Sequence, residues 1–368
     1  MDIFDLLTRL IRASLEFDKK NVEATALAIV KKIKKDHPER AAEITRILSY
    51  SNFENIGARA LDMSPLPVDH ETRYSLVKLT EPIEMLDPIL DEYIRTQLDD
   101  FIKERRMLNK FLDEDIIPPN SILLTGKPGV GKTYIVQWLS YELKLPLVTL
   151  DLASSISSYL GRSGQNIRNI FDYARNQNAV LFLDELDAIA KRRDDASDLG
   201  ELKRLVNVLL KELESCPISC IIIGATNHPE LLDKAIWRRF DRAIDIPMPE
   251  ESERAQLIQR HIGKIKDNVK PSTLEYLSHN SKNINAADIC RLCEHIKRQF
   301  LLNPDSDANI IVLMELFKIS QLETKEEKIS ICNSLKREFP HLVQRDISKI
   351  TQIPLATVSR YLSTVKEV

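Results

Sequence analysis

Glycine is the residue that most restricts what this chain can become. Only nine occur in 368 residues, and three of them, Gly126, Gly129 and Gly131, fall within six positions. A backbone that concentrates scarce glycine in this way needs unusual torsions or a ligand brought close to the main chain. The neighbouring residues favour the ligand. Gly126, Lys127, Pro128, Gly129, Val130, Gly131, Lys132 and Thr133 spell GxxxxGK[ST], behind an apolar run at 121–125 and ahead of a helical pattern at 133–143. Strand, glycine-rich loop and helix in that order predict a phosphate-binding loop. Successive backbone N–H groups wrap the phosphates, and the helix N-terminus adds partial positive charge. Lys132 would reach the β and γ phosphates, the Thr133 hydroxyl would ligate Mg²⁺, and Tyr134 follows in the same nucleotide-binding set.

A second motif supplies what such a loop lacks. Val180, Leu181, Phe182 and Leu183 form an apolar strand that ends in Asp184 and Glu185. Asp184 would hold Mg²⁺ through its water shell, as a second metal position beside Thr133, while Glu185 would activate the attacking water. An acid pair at the end of a buried strand is weak evidence alone and strong evidence some 50 residues after a phosphate loop.

The organisation agrees. Short apolar runs at 121–125, 147–150, 180–183, 220–223 and 243–246 alternate with helical patterns, which predicts an α/β fold, a parallel αβα sandwich of the P-loop NTPase kind. From Pro249 strands vanish, and helical patterns at 253–265, 272–279, 286–302 and 309–322 predict a small all-helical lid. The expected domains are a helical N-terminal module over 1–50, a linker over 51–84, the large ATPase domain over 85–248, the lid over 249–323 and a C-terminal helical module over 324–368. Within the last, helices are expected at 325–338, 344–351 and 354–366.

Composition excludes several classes. With 29% charged and 43% hydrophobic residues the chain is globular, and 52 basic against 55 acidic residues, a net −3, leave no overall field for nucleic acid. Apolar runs such as 310–314 are far shorter than the ~18 residues of a membrane span, so a soluble protein without membrane association is expected. Five cysteines in no framework spacing, without an export signal, imply reduced thiols in the cytoplasm. Cys290 and Cys293 share one face of a helical pattern with no second ligand pair, so they read as buried helix positions and not as a zinc site.

From about 85 to 320 the sequence resembles the AAA-type ATPases of the AAA+ superfamily, close in pattern to the meiotic clade that includes katanin and spastin. Gly224-Ala225-Thr226-Asn227 is similar to the family's sensor 1, which implies that Asn227 positions the water or γ phosphate. The segment 232–241 resembles the arginine-finger segment, with Arg238 and Arg239 as fingers reaching the neighbouring subunit's nucleotide. The resemblance implies a homo-oligomer, a hexamer, that hydrolyses ATP with Mg²⁺. His261 matches a histidine near the adenine, and Ala286-Ala287-Asp288 resembles the lid segment that packs on the base. Asn285, Lys127 and Val130 depart from the family pattern, and no clear adenine loop precedes the phosphate loop.

Tyr159, Leu160 and Gly161 resemble the first pore loop, which implies that an aromatic face grips an extended polypeptide in a central channel. The charge run at 191–195 stands where a second pore loop would lie. The leading expectation is an oligomeric motor that remodels, unfolds or threads a protein substrate. A different class comes from residues 346–362, which resemble a helix-turn-helix with Ile347, Ile350, Ile353, Val358 and Leu362 as its core and Leu355, Thr357, Ser359 and Arg360 facing a groove. Four basic and two acidic residues over 341–368 give only +2, so a DNA contact through Thr357, Ser359 and Arg360 and a protein-docking module stay equally open. A helical N-terminus before such a module also loosely resembles bacterial AAA proteins encoded beside subtilisin-like proteases, some in phage defence, which implies a separate protease or effector partner.

Overall fold

The computed structural model describes residues 75–152, 163–188, 199–319 and 324–363, with Leu66, Pro67 and single residues at 7, 8, 25, 29 and 32. Tyr159, Leu160, Gly161 and the charge run at 191–195 lie outside the described residues, as does most of the helical pattern expected over 1–50. The chain divides into two units, Met1–Leu66 and Pro67–Val368. In the first, the described residues at 7, 8, 25, 29 and 32 are helical, and Thr25 and Ile29, one turn apart, are both buried.

The second unit is built on a sheet of six strands among the described residues, ordered β1-β3-β4-β5-β2-β6. These are β1 (Lys78–Thr80), β2 (Ser121–Thr125), β3 (Leu147–Asp151), β4 (Val180–Asp184), β5 (Ile221–Thr226) and β6 (Arg242–Asp245). Strands β2 to β6 correspond to the five apolar runs and pair in parallel. β1 pairs antiparallel with β3 and lies within the stretch read as linker; it is three residues long, too short to carry a readable period. The central strands β2, β4 and β5 are buried along almost their whole length, as strands covered by helices on both faces are. Helices α1 (Glu92–Arg106) and α3 (Lys132–Leu143) pack Leu98, Phe101, Ile135, Trp138 and Leu139 against Ile122, Leu124, Phe182 and Ile223. The alternate side chains Leu123, Leu181, Leu183 and Ile222 are also buried, as are Ile170, Phe171 and Leu209 of α4 (Ser163–Gln177) and α5 (Leu199–Glu214). A short α2 (Leu108–Asp113) follows α1, and α6 (Lys234–Trp237) precedes β6.

Beyond β6 the chain is helical: α7 (Glu251–Ile262), α8 (Pro271–Asn280), α9 (Ala286–Leu302), α10 (Ala308–Ile319), α11 (Lys325–Glu338), α12 (Gln344–Thr351) and α13 (Leu355–Ser363). One apolar core runs through all of them, from Ile258 and Ile262 of α7 through Leu292 and Leu316 to Ile347, Ile350, Val358 and Tyr361. The C-terminal helices therefore share the core of the helices expected to form the lid. Ile347, Ile350, Ile353 and Val358 are buried as expected, but Tyr361 takes the deep position assigned to Leu362, which is half-buried. Gln352 ends α12 in the left-handed conformation, φ +57°, where a glycine would sit without strain. No helix among the described residues is long and apolar enough to cross a membrane.

Candidate functional site

The carboxyl ends of β2, β4 and β5 converge on one cleft, as the open parallel sheet requires of a site at its switch in strand order. β2 ends at Thr125 and runs directly into the glycine loop. Gly126, Gly129 and Gly131 have φ of +139°, +80° and +105°. A Cβ at Gly126 would lie 2.3 Å from the Ile246 carbonyl oxygen, and one at Gly129 would lie 2.6 Å from the Asn285 side chain. Those two glycines are forced by packing as well as by torsion. Val130 is buried and packs into the sheet core at the edge of the cleft, while Lys127 and Pro128 are exposed. Helix α3 begins at Lys132, which aims its amino end at the cleft.

Lys132 donates from Nζ to the carbonyls of Gly126 (2.6 Å) and Lys127 (3.1 Å) and to Asn227 Oδ1 (2.7 Å). Lys132 and Asn227, expected to serve one site, are thus brought together. Burial pushes the Lys132 pKa down, against the pull of Asp184, Asp187 and Asp245. Burial pushes Asp184 up; Asp151 on the neighbouring strand adds to this, while the Glu185 N–H, donating to Asp184 Oδ1 at 2.9 Å, opposes it. Glu185 itself has φ +54°, a left-handed conformation held for a non-glycine residue at the strand end.

The cleft holds about 500 Å³ and is lined by Pro128 through Ile135, Asp184, Glu185 and Asn227 on the sheet side. On the helical side are His261 of α7 and Ala286 and Ala287 of α9, so the expected nucleotide residues meet here except Gly126 and Lys127, whose side of the loop does not line the cleft. Asn285, the departure from the family pattern, caps α9 by accepting from Asp288 N at 2.8 Å and packs against Gly129. Gly129 O in turn accepts from Ala287 N at 2.9 Å, tying the loop to α9. The His261 pKa is lowered by burial first and by Arg260 and Lys297 next, which keeps the ring neutral near pH 7.

Sequence reasoning missed one wall. Pro88, Ile89 and Leu90, within the segment where no adenine loop was recognised, line the cleft beside Leu257, Arg260 and Cys290. Tyr134 donates its hydroxyl to Leu86 O (2.7 Å), Trp138 Nε1 donates to Asp87 Oδ1 (3.1 Å) and Arg260 donates to Asp87 O (2.5 Å), which fasten this segment to α3 and α7. The spacing of Leu257, Arg260 and His261 on one helical face was the available signal. Cys290 is a correction: Cys293 is buried in the core, but Cys290 is half-buried at the cleft, because the two positions straddle the edge of the packed face.

Arg238 and Arg239 are exposed and do not line their own chain's cleft. Arg239 reaches Glu214 at 3.3 Å across a solvent-exposed pair, an interaction of little energy. Asp241 anchors the segment by accepting from Asn120 N, Ser121 N and Ser121 Oγ at 2.8–3.0 Å. On α13, Ser359 and Arg360 are exposed and Thr357 is half-buried. The oxygen set of Thr133 and Asp184, both on the same cleft, suits a hard cation such as Mg²⁺.

Residues 122–248 match the sequence profile of the ATPase family associated with various cellular activities (AAA). The chain is 42% identical over 149 residues to "Uncharacterized AAA family ATPase y4kL" of Sinorhizobium fredii, covering 40% of this chain and 45% of that protein. It is 32% identical over 224 residues to the proteasome-activating nucleotidase of Methanococcus maripaludis, covering 58% and 54%. The match thus spans about half the length of these relatives. The fold resembles the crystal structure of the FIGL-1 AAA domain, with a TM-score of 0.53 at 20% identity over 79% of this chain and 92% of that one.

Proposed function

From a chain that carries an AAA ATPase domain at residues 122–248, we propose an oligomeric, Mg²⁺-dependent ATPase that remodels or unfolds a protein substrate. The observation that carries the hydrolytic reading is the convergence of Lys132, Asp184, Glu185 and Asn227 on one cleft. In the ATP complex Lys132 exchanges its loop-carbonyl partners for phosphate oxygens, which neutralises charge that develops on the transferred group. Thr133 and Asp184 would hold Mg²⁺, which supplies further neutralisation of the β and γ phosphates. Glu185 accepts the proton of the attacking water, and Asn227 orients that water or the γ phosphate. Pro88–Leu90, Leu257, His261, Ala286 and Ala287 provide a largely apolar end for the base.

The missing part is positive charge at the γ phosphate from outside the subunit. Arg238 and Arg239 lie exposed and away from their own cleft, which supports donation to a neighbouring copy. An arginine finger contributes about 10³ to 10⁵ in rate. Phosphate release per subunit should therefore rise steeply between nanomolar and micromolar protein, and Arg238→Ala with Arg239→Ala should remove that rise. Glu185→Gln should bind ATP without hydrolysing it. A rate per subunit independent of concentration sinks the shared-site reading, and hydrolysis surviving in Glu185→Gln sinks the assignment of the base.

The substrate class rests on the likeness to a proteasome-activating nucleotidase and on the sequence of Tyr159, Leu160 and Gly161. Polypeptide trapped by the Glu185→Gln protein is the expected product of a pull-down. A second reading, DNA contact through α13, is supported by the exposure of Ser359 and Arg360, and salt-sensitive retention of a duplex lost in Arg360→Ala would favour it. A separate protease or effector partner, a hexameric ring and a cytoplasmic location complete the proposal.

A further inference from the structure

The turn after β4 and the end of β5 are joined by a carboxylate that the hydrolytic scheme has not used. Asp187 is only 4% exposed. Its Oδ1 accepts from the Thr226 hydroxyl at 3.0 Å and from the Asn227 backbone N–H at 3.3 Å. The Thr226 hydroxyl oxygen also accepts from His228 N at 3.1 Å, so the backbone on both sides of Asn227 is fixed through this one pair. One residue before Asp187, Leu186 donates its N–H to Ala225 O at 3.0 Å, and two before it Glu185 holds φ +54°. Ala188 N closes the turn on Glu185 O at 2.9 Å. A left-handed torsion at a non-glycine residue persists only where surrounding contacts over-determine it. Here those contacts are the Asp184 carboxylate behind Glu185 and the Asp187 carboxylate ahead of it.

We propose that Asp187 is a positioning residue for hydrolysis: its buried carboxylate locks the Glu185 turn to Asn227, so that base and sensor meet one water in a fixed geometry. It touches neither nucleotide nor water and acts through the other two. Such fixed geometry is worth orders of magnitude in rate, and misplacement by about 1 Å costs on the order of a hundredfold. The remaining neighbours are consistent with a rigid part: Gly224 in β5 packs so tightly that a Cβ would lie 2.6 Å from Leu186 and 2.7 Å from Phe240.

This inference rests on the ATPase reading, and its test separates the two. With the full-length protein, Asp187→Ala is expected to lower kcat at least tenfold while KM for ATP stays within twofold. Asp187→Asn, which keeps an acceptor oxygen for Thr226 and Asn227, should recover most of the loss. Thr226→Ser should restore what Thr226→Val loses. In an Asn227→Ala background the further effect of Asp187→Ala should be smaller than in the wild-type protein, because residues acting as one unit are not additive. Additive losses, a changed KM with kcat intact, or an asparagine variant as impaired as alanine would overturn the proposal. Amide exchange at Asn227, followed without nucleotide, gives a reading that needs no activity: faster exchange in Asp187→Ala and protection retained in Asp187→Asn are expected. If the wild-type protein released no phosphate, the ATPase reading would fall while exchange still decided the role of Asp187; unchanged exchange in Asp187→Ala would dismiss it.

Discussion

Single residues in the cleft are held against their own preferences. Asp184 is the clearest case, since burial, helped by Asp151 and Asp187, raises its pKa even though Lys132 stands near. A carboxyl whose pKa is higher in the folded state takes up protons on folding. Its contribution to stability is therefore lost as pH rises from the ordinary aspartate range through the raised value. Asp184→Asn should raise the melting temperature of nucleotide-free protein at neutral pH and flatten the fall in stability as pH rises above the ordinary aspartate range. Turnover should fall on the order of a hundredfold in the same variant. Thermal melts and phosphate release on one preparation check both, and a lower melting temperature at neutral pH would contradict the sign. The thiols differ for the same kind of reason. Hydrogen bonds that Cys216 accepts, from Cys220 above all and then from Arg175, lower its pKa against the burial that opposes them, whereas burial raises Cys290, pushes Cys332 up to about 11 and pushes Cys293 up to about 12. Iodoacetamide at neutral pH should label Cys216 ahead of Cys290, Cys293 and Cys332, read by peptide mass.

At the scale of elements, the glycine loop is fixed by the helix it faces. Gly129→Ala must place a methyl 2.6 Å from Asn285 at φ +80°, and it presses on the cap of α9 and the Ala287 to Gly129 bond. A cost of about 1–3 kcal/mol and weaker nucleotide binding are expected, measured by denaturation and by titration. Gly164→Ala is the contrast. That residue lies in α4 where, among the described residues, an added Cβ would meet just Val208 at 3.4 Å, so about 0.5–1 kcal/mol of stabilisation is expected. The same contrast explains what could be read from sequence. The central parallel strands declared themselves because burial on both faces leaves no polar alternation to confuse them, as in Ile122, Leu123 and Leu124. Lys132, Asp184, Glu185 and Asn227 were legible because strand ends and a loop motif fix their place. Pro88–Leu90 was not, since that wall is chain without regular secondary structure, fastened at the adjoining Leu86 and Asp87 by side chains of α3 and α7 that no local period reports. Cys290 was misplaced because helical spacing names a face but not the point at which the face meets a cleft.

At the scale of the whole molecule, the C-terminal helices share one apolar core with the helices that wall the cleft. Leu257, Arg260 and His261 line the cleft from α7, and Ile258 and Ile262 of the same helix enter the core that also holds Ile350, Val358 and Tyr361. The cleft wall on α7 is therefore joined to α12 through the packing of α9 and α10. Ile350, 1% exposed, is far from the phosphate loop in sequence, yet Ile350→Ala should cost about 2–5 kcal/mol through the cavity it leaves. That loss should appear in the helices that carry the cleft, so adenine nucleotide affinity should fall with it, whereas Ser359→Ala on the exposed face should stay within about 0.5 kcal/mol. Calorimetry with and without ADP distinguishes the two architectures. A shared core predicts one transition for α7 to α13 that shifts upward with ADP and downward in Ile350→Ala. Two separable transitions, with only the one insensitive to ADP moved by Ile350→Ala, would show the C-terminal helices to be a separate module after all.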